Sequence, residues 1–254
     1  MTEKDTAAIR ITDLWFSYDG HPVLEDVNIS IPQGDFVSVV GPNGGGKTTL
    51  LKLMLGLLRP SHGEVQVFGV TPEKARPRIG YMPQHVQLDP QFPATVMDVA
   101  LMGRLGHGWP FGRYSKKDKE IVGRALDQVG LYSLLKKPFA SISGGQRQRL
   151  FIARALACEP DILLLDEPTA NLDLVMEGDL YELLQTLNQR LTIVMVSHDI
   201  GFVSEVVKSV ICVKRKVLMH PTSKITGEII NEIYGSPMKI IRHNGEGACG
   251  CHNF

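Results

Sequence analysis

The residues best suited to chemistry begin at Gly41. The run Gly41-Pro42-Asn43-Gly44-Gly45-Gly46-Lys47-Thr48-Thr49 has a glycine, four residues, then Gly-Lys-Thr, the spacing of a phosphate loop. Glycines let the backbone curl with its N–H groups turned inward, which makes a concave anion site. A helix starting there adds partial positive charge. Lys47 would then reach the β- and γ-phosphates, and the Thr48 hydroxyl would ligate Mg²⁺. A second stretch, Asp166-Glu167-Pro168, follows the apolar run Ile162–Leu165. An aspartate at a strand end can hold Mg²⁺, usually through water, and a neighbouring glutamate can take a proton from an attacking water. By itself such a pair reads as a solvated turn; a phosphate loop upstream changes that reading. Ser143-Gly144-Gly145-Gln146 precedes a helix-forming run and offers a serine N-cap with glycine-exposed N–H groups, a second anion site. His198 follows the buried-strand pattern Leu191–Val196. If the strands are parallel, it shares a sheet edge with Asp166 and Glu167.

These residues need a sheet to carry them. Asp35–Val40 reads as a buried strand entering the phosphate loop, and Leu50–Leu55 as part of the helix leaving it, ending near Leu57-Leu58-Arg59-Pro60 where proline stops it. Residues 9–18 alternate like a half-buried strand, and Val23, Val27, Ile29 and Ile31 mark a second. Strands are also expected at Glu64–Phe68, Arg78–Met82 and Leu191–Val196. Between roughly 94 and 140 the strand–helix alternation stops, and Ser115 caps a helix bearing Ile121, Val122, Ala125, Leu126 and Val129 on one face. That stretch reads as a mainly helical insertion in an α/β core. Leu180, Leu183, Leu184, Leu187 and Leu191 keep helical spacing and mark a packing stripe. A helix is also expected near Thr222–Ile233.

With 254 residues, the chain has room for a sizeable core. Its 27 Lys and Arg balance 27 Asp and Glu, which argues against a general nucleic-acid binder. No apolar run approaches the ~18 residues of a membrane span, and the polar start Met1–Thr6 does not read as a signal peptide. Four cysteines, Cys158, Cys212, Cys249 and Cys251, form no disulfide framework.

Two residues are ambiguous on these grounds. Tyr18 stands 23 positions before Gly41 and suits either core packing or stacking on a nucleobase. Gln84, in a polar, turn-prone segment running to Pro93, reads as a solvated side chain.

Taken together, the chain over roughly 9–220 resembles the nucleotide-binding subunit of an ATP-binding cassette (ABC) transporter. By that likeness the α/β core has a mixed sheet, an antiparallel β subdomain and a helical subdomain at about 94–160, with 221–254 as a C-terminal extension. Gly41–Thr49 is the Walker A loop, and Leu163–Asp166 ends the Walker B strand. Tyr18 matches the adenine-stacking aromatic, and Gln84 the Q-loop glutamine near the Mg²⁺ and the attacking water. Ser143-Gly144-Gly145-Gln146 matches the signature motif, Asn171-Leu172-Asp173 the D-loop, and His198 the switch histidine. Ile142 stands where the family usually has leucine, a volume-conserving difference.

The resemblance implies an ATPase using ATP and Mg²⁺. It would work as a head-to-tail homodimer, Ser143 and Gly145 meeting the partner's γ-phosphate. It would sit on the cytoplasmic face of the membrane and drive separate membrane subunits. Phe92–Val99 and Val196–Val203 resemble the zinc/manganese importers, whose cargo arrives through an extracytoplasmic metal-binding protein. In the tail, His243, Cys249, Cys251 and His252 are soft ligands suited to Zn²⁺, although Cys-x-Cys departs from the usual spacing and an unmetallated tail is the plainer reading. An ABC-type mechanical ATPase acting away from membranes stays open as an alternative. It usually carries coiled coils or a second cassette, and neither is seen here.

Overall fold

The computed structural model describes residues 7–84, 93–105, 114–170, 172–197 and 207–224. Two sheets organise them. Strands β1 (Ala7–Tyr18), β2 (His21–Pro32) and β4 (His62–Val67) form an antiparallel sheet in the order β2-β1-β4. The larger sheet adds β3 (Phe36–Val40), β5 (Ile79–Met82), β6 (Ile162–Asp166), β7 (Thr192–Val196), β8 (Ser209–Lys214) and β9 (Lys216–Pro221), in the order β5-β6-β7-β3-β8-β9. Its first five strands are parallel and β9 is antiparallel. The fold is therefore α/β with mixed strand directions.

Parallel strands buried on both faces need apolar residues throughout, and β3, β6 and β7 are buried along their whole length. The two-residue period divides those residues between two cores. In β6, Ile162 and Leu164 join the cluster beneath the antiparallel sheet and helix α1 (Lys47–Met54). Leu163 and Leu165 join the opposite cluster, packed by α3 (Val96–Leu101), α4 (Lys116–Gln128), α5 (Gly144–Leu156) and α6 (Leu174–Asn188). A four-residue helix, α2 (Pro72–Ala75), leads into β5.

The predicted caps form. Ser115 and Asp118 close a capping box on α4, as Ser143 and Gln146 do on α5. Helix α1 ends earlier than expected. Gly56, at φ 65°, donates to the Leu53 carbonyl at 3.0 Å, and Leu57 N–H to that of Lys52 at 2.9 Å. This is a Schellman stop, so a left-handed glycine ends the helix before Pro60 is reached. The predicted helix from Thr222 begins as a single 3₁₀ turn, Thr222–Lys224, and its remainder lies outside the described residues.

The short 3₁₀ turn Met102–Arg104 fastens α4 to the far end of α5. Arg104 Nε donates to Asp118 Oδ1 at 2.9 Å, and Nη1 donates to the Ala157 carbonyl at 2.9 Å. The hydroxyl of Ser115 and the Arg104 guanidinium hold the Asp118 carboxyl down at about 2. At Gly103 a Cβ would lie 2.0 Å from the Arg154 carbonyl oxygen, so the turn and helix meet backbone to backbone. Gly103→Ala should cost about 1–3 kcal/mol through overpacking, read as a lower urea midpoint with an unchanged slope.

Candidate active site

The carboxyl ends of the parallel strands assemble the site. Strand β3 delivers the phosphate loop, whose Gly41, Gly44 and Gly46 hold φ of 151°, 75° and 106°. Close contacts at two positions make glycine obligatory there. A Cβ at Gly41 would lie 2.1 Å from the Val213 carbonyl oxygen, and one at Gly45 would lie 2.9 Å from both that oxygen and the Pro42 oxygen. Gly45 N–H closes the turn onto the Pro42 carbonyl at 3.0 Å. Gly46 is the N-cap of α1 and has no side chain to offer its first turn, which leaves N–H groups there to serve an anion. Asn43 and Gly44 are exposed, whereas Thr49 is buried on α1.

Lys47 is 6 % exposed. Its ammonium donates to the Gly41 and Pro42 carbonyls at 2.9 and 3.1 Å, two of its three N–H groups. Burial lowers its pKa, while Glu167 and Asp166 act in the opposite sense. Thr48 Oγ1 donates to Asp166 Oδ2 at 3.0 Å, joining the start of α1 to the end of β6 across the intervening β7. Asp166 is 1 % exposed, and among the described residues its Oδ1 has no hydrogen-bond partner. Burial raises its pKa, opposed by the Thr48 hydrogen bond. A buried carboxylate oxygen without a donor, beside a threonine hydroxyl, suits a small hard cation. The donor set therefore fits Mg²⁺.

Glu167 is tied by its backbone N–H to the Val196 carbonyl at 3.2 Å. It holds the left-handed φ of 53°, an unfavourable conformation for a residue with a side chain. Met82 pairs with Leu165, so the chain two residues beyond β5 reaches the level of Glu167. There Gln84 Nε2 donates to Glu167 Oε2 at 2.5 Å. Gln84 is exposed, yet it is engaged by the carboxylate rather than simply solvated.

Ser143, Gly144, Gly145 and Gln146 start α5, away from this cleft. Ser143 Oγ accepts from Gln146 N–H at 3.3 Å, and Gln146 Oε1 accepts from Ser143 N–H at 3.0 Å. Ser143, Gly145 and Gln146 line a cavity of about 260 Å³ with Arg149, Met176 and Asp179, whereas Pro42–Gly45 line a separate groove. Tyr18 is exposed beside the β1–β2 turn and meets Phe16 edge to face at 4.8 Å between centroids. Asp173 caps α6, its Oδ1 accepting from Met176 N–H at 2.8 Å. His198, Asn171 and the tail ligands His243, Cys249, Cys251 and His252 lie outside the described residues. Lys214 and Arg215 line the groove beside the phosphate loop; three successive cations at a strand end, Lys214-Arg215-Lys216, are their signal in the sequence.

The phosphate loop, Gln84, Asp166 and Glu167 lie within residues 24–170, the stretch matched by the family model described as "ABC transporter". The chain belongs to the ABC transporter family. It is 40% identical over 232 residues to the zinc transport system ATP-binding protein TroB of Treponema pallidum, covering 90% of this chain and 87% of that one. It is 34% identical to the manganese transport system ATP-binding protein MntB of Bacillus subtilis, covering 92% and 95%. A solved ABC transporter, classed as metal-chelate type and inward-facing, superposes with a TM-score of 0.83 at 33% identity, covering 91% of this chain and 90% of that one. The chain is thus an ATP-hydrolysing subunit of an ABC transporter, a family whose ATPases act with membrane permease partners. Among the described residues no helix is long and apolar enough to cross a membrane.

Lys47→Ala removes a charge-assisted phosphate contact. It should weaken ATP binding roughly 10- to 100-fold, measured by titration with a fluorescent nucleotide.

Proposed function

We propose that this chain powers the import of a transition metal ion, zinc or manganese, through separate membrane subunits. One observation carries the ATPase half of that reading: β6 brings Asp166 and Glu167 to the phosphate loop, Asp166 within 3.0 Å of Thr48. The cargo is supported by the names of the Treponema pallidum and Bacillus subtilis relatives.

In the proposed mechanism, Gly41–Thr49 wraps the ATP phosphates with backbone N–H groups, and Lys47 turns its ammonium to the β- and γ-phosphates. Thr48, Asp166 and Gln84 would hold Mg²⁺, which supplies charge neutralisation on the phosphate oxygens. Glu167 accepts the proton of the attacking water, and Gln84 orients its carboxylate through their hydrogen bond. His198, two residues after β7 in the sequence, would contact the γ-phosphate. Tyr18 stacks on the adenine.

Ser143, Gly144, Gly145 and Gln146 act in the second half of the proposal. They cover the ATP of a second copy in a head-to-tail homodimer, which accords with their cavity being separate from the phosphate-loop groove. A bound triphosphate would draw the α5 N-terminus of the partner inward, and loss of the γ-phosphate would release it. The assembly would sit on the cytoplasmic face of the membrane, served by an extracytoplasmic metal-binding protein. Residues 9–220 would form the ATPase domain with a helical subdomain at about 94–160, and 221–254 an extension. Zinc at His243, Cys249, Cys251 and His252 is a subsidiary proposal, checked by zinc titration before and after truncation at Gly235.

Glu167→Gln should retain ATP binding but lower turnover by roughly 10²–10⁴-fold, the range for loss of a general base. The same variant should run as a dimer in ATP by size-exclusion chromatography. Steady hydrolysis at the wild-type rate would remove Glu167 from the chemistry. For the cargo, the subunit reconstituted with its permease in vesicles should accumulate zinc or manganese only with ATP. ATP turnover without uptake of either ion would redirect the search to another substrate.

A further inference from the structure

The tip between β8 and β9 is built with unusual economy. Val213 pairs with Val217 and Lys214 with Lys216, so Arg215 alone reverses the chain. It does so at φ 62°, a conformation that glycine adopts freely and arginine only under strain. The Arg215 carbonyl accepts from Glu25 N–H at 2.9 Å, which pins the tip to β2. Keeping a long cation where glycine would fit better calls for a reason beyond the turn.

The neighbours supply one. Strands β3 and β8 run parallel, with Val40 beside Cys212, so the phosphate loop and the hairpin tip leave the same sheet edge side by side. The Val213 carbonyl is the oxygen that a Cβ at Gly41 would strike at 2.1 Å, and Lys214 is the next residue. Lys214 and Arg215 line a groove of about 490 Å³ together with Val23 and the loop residues 42–45. Tyr18 closes the turn into the strand that carries Val23, pairing with His21. The whole chain holds 27 cations against 27 anions, so this cluster is no by-product of a basic surface.

We infer that Lys214 and Arg215 are nucleotide-binding residues, a second source of positive charge that holds the polyphosphate from the outer flank of the loop. The inference rests on the phosphate-loop reading and extends it. A triphosphate carries several negative charges, and the loop contributes one ammonium and partial charges from N–H groups. Two exposed cations on the adjoining tip would add to the attraction, each worth a modest factor and sensitive to salt.

The test is ATP affinity of the full chain, measured with a fluorescent ATP analogue at about 0.01 M and about 1 M salt. Arg215→Gln should weaken binding about two- to five-fold at low salt, and Lys214→Gln/Arg215→Gln further. Both losses should shrink at high salt. Arg215→Gly should lose affinity equally while melting at or above the wild-type temperature, since glycine relieves the turn. Wild-type affinity in the double variant at low salt would overturn the assignment. So would an affinity loss that persists unchanged at high salt, because a misfolded tip does not respond to screening. Lys47→Ala separates the two readings. If it weakens ATP binding while the tip variants do not, only this inference falls; if it too binds as wild type, the phosphate-loop reading falls with it.

Discussion

The cleft depends on keeping two opposite charges out of water without letting them neutralise one another directly. Lys47 is 6 % exposed and Asp166 1 %, and burial opposes the charged form of each. Each is instead satisfied by a third party. The ammonium takes two loop carbonyls, and the carboxylate takes the Thr48 hydroxyl. That keeps a positive and a negative charge at the same end of the sheet, which is what a phosphate with a divalent cation requires.

Strand direction makes that arrangement affordable. Because β3, β5, β6, β7 and β8 run the same way, the phosphate loop, Gln84 and the Asp166–Glu167 pair emerge at one edge. Lateral backbone bonds then fix their heights: Glu167 N–H to Val196 and Ser197 N–H to Val39. Asp166 and Glu167 are thus placed by the sheet itself, and the left-handed backbone at Glu167 is held by its bond to β7.

Much of this was legible beforehand because it is local. The strand–loop–helix around Gly41–Thr49, the Ser115 and Ser143 caps and the apolar run of β6 are each written within about ten residues, and each forms in the structure. The features that local pattern alone does not carry join distant residues or defy propensity. Gln84 reads as solvated until β5 and β6 pair and bring Glu167 to it, 83 positions away. Thr48 and Asp166 are separated by 118 positions. Gly56 stops α1 through its left-handed backbone, a signal eclipsed by the nearby Pro60. Left-handed backbone at Glu167 and Arg215 follows from no residue preference, and only the surrounding sheet imposes it.

The alternation along β6 has a consequence for how this chain can change over generations. Ile162 and Leu164 serve one core, Leu163 and Leu165 the other, and Asp166 comes next in the same two-beat rhythm. Exchanging one aliphatic residue for another leaves that rhythm intact. Gaining or losing a single codon would invert it, sending each leucine to the wrong side and turning the aspartate away from its threonine. Heritable variation in this strand is therefore free in spelling and fixed in length.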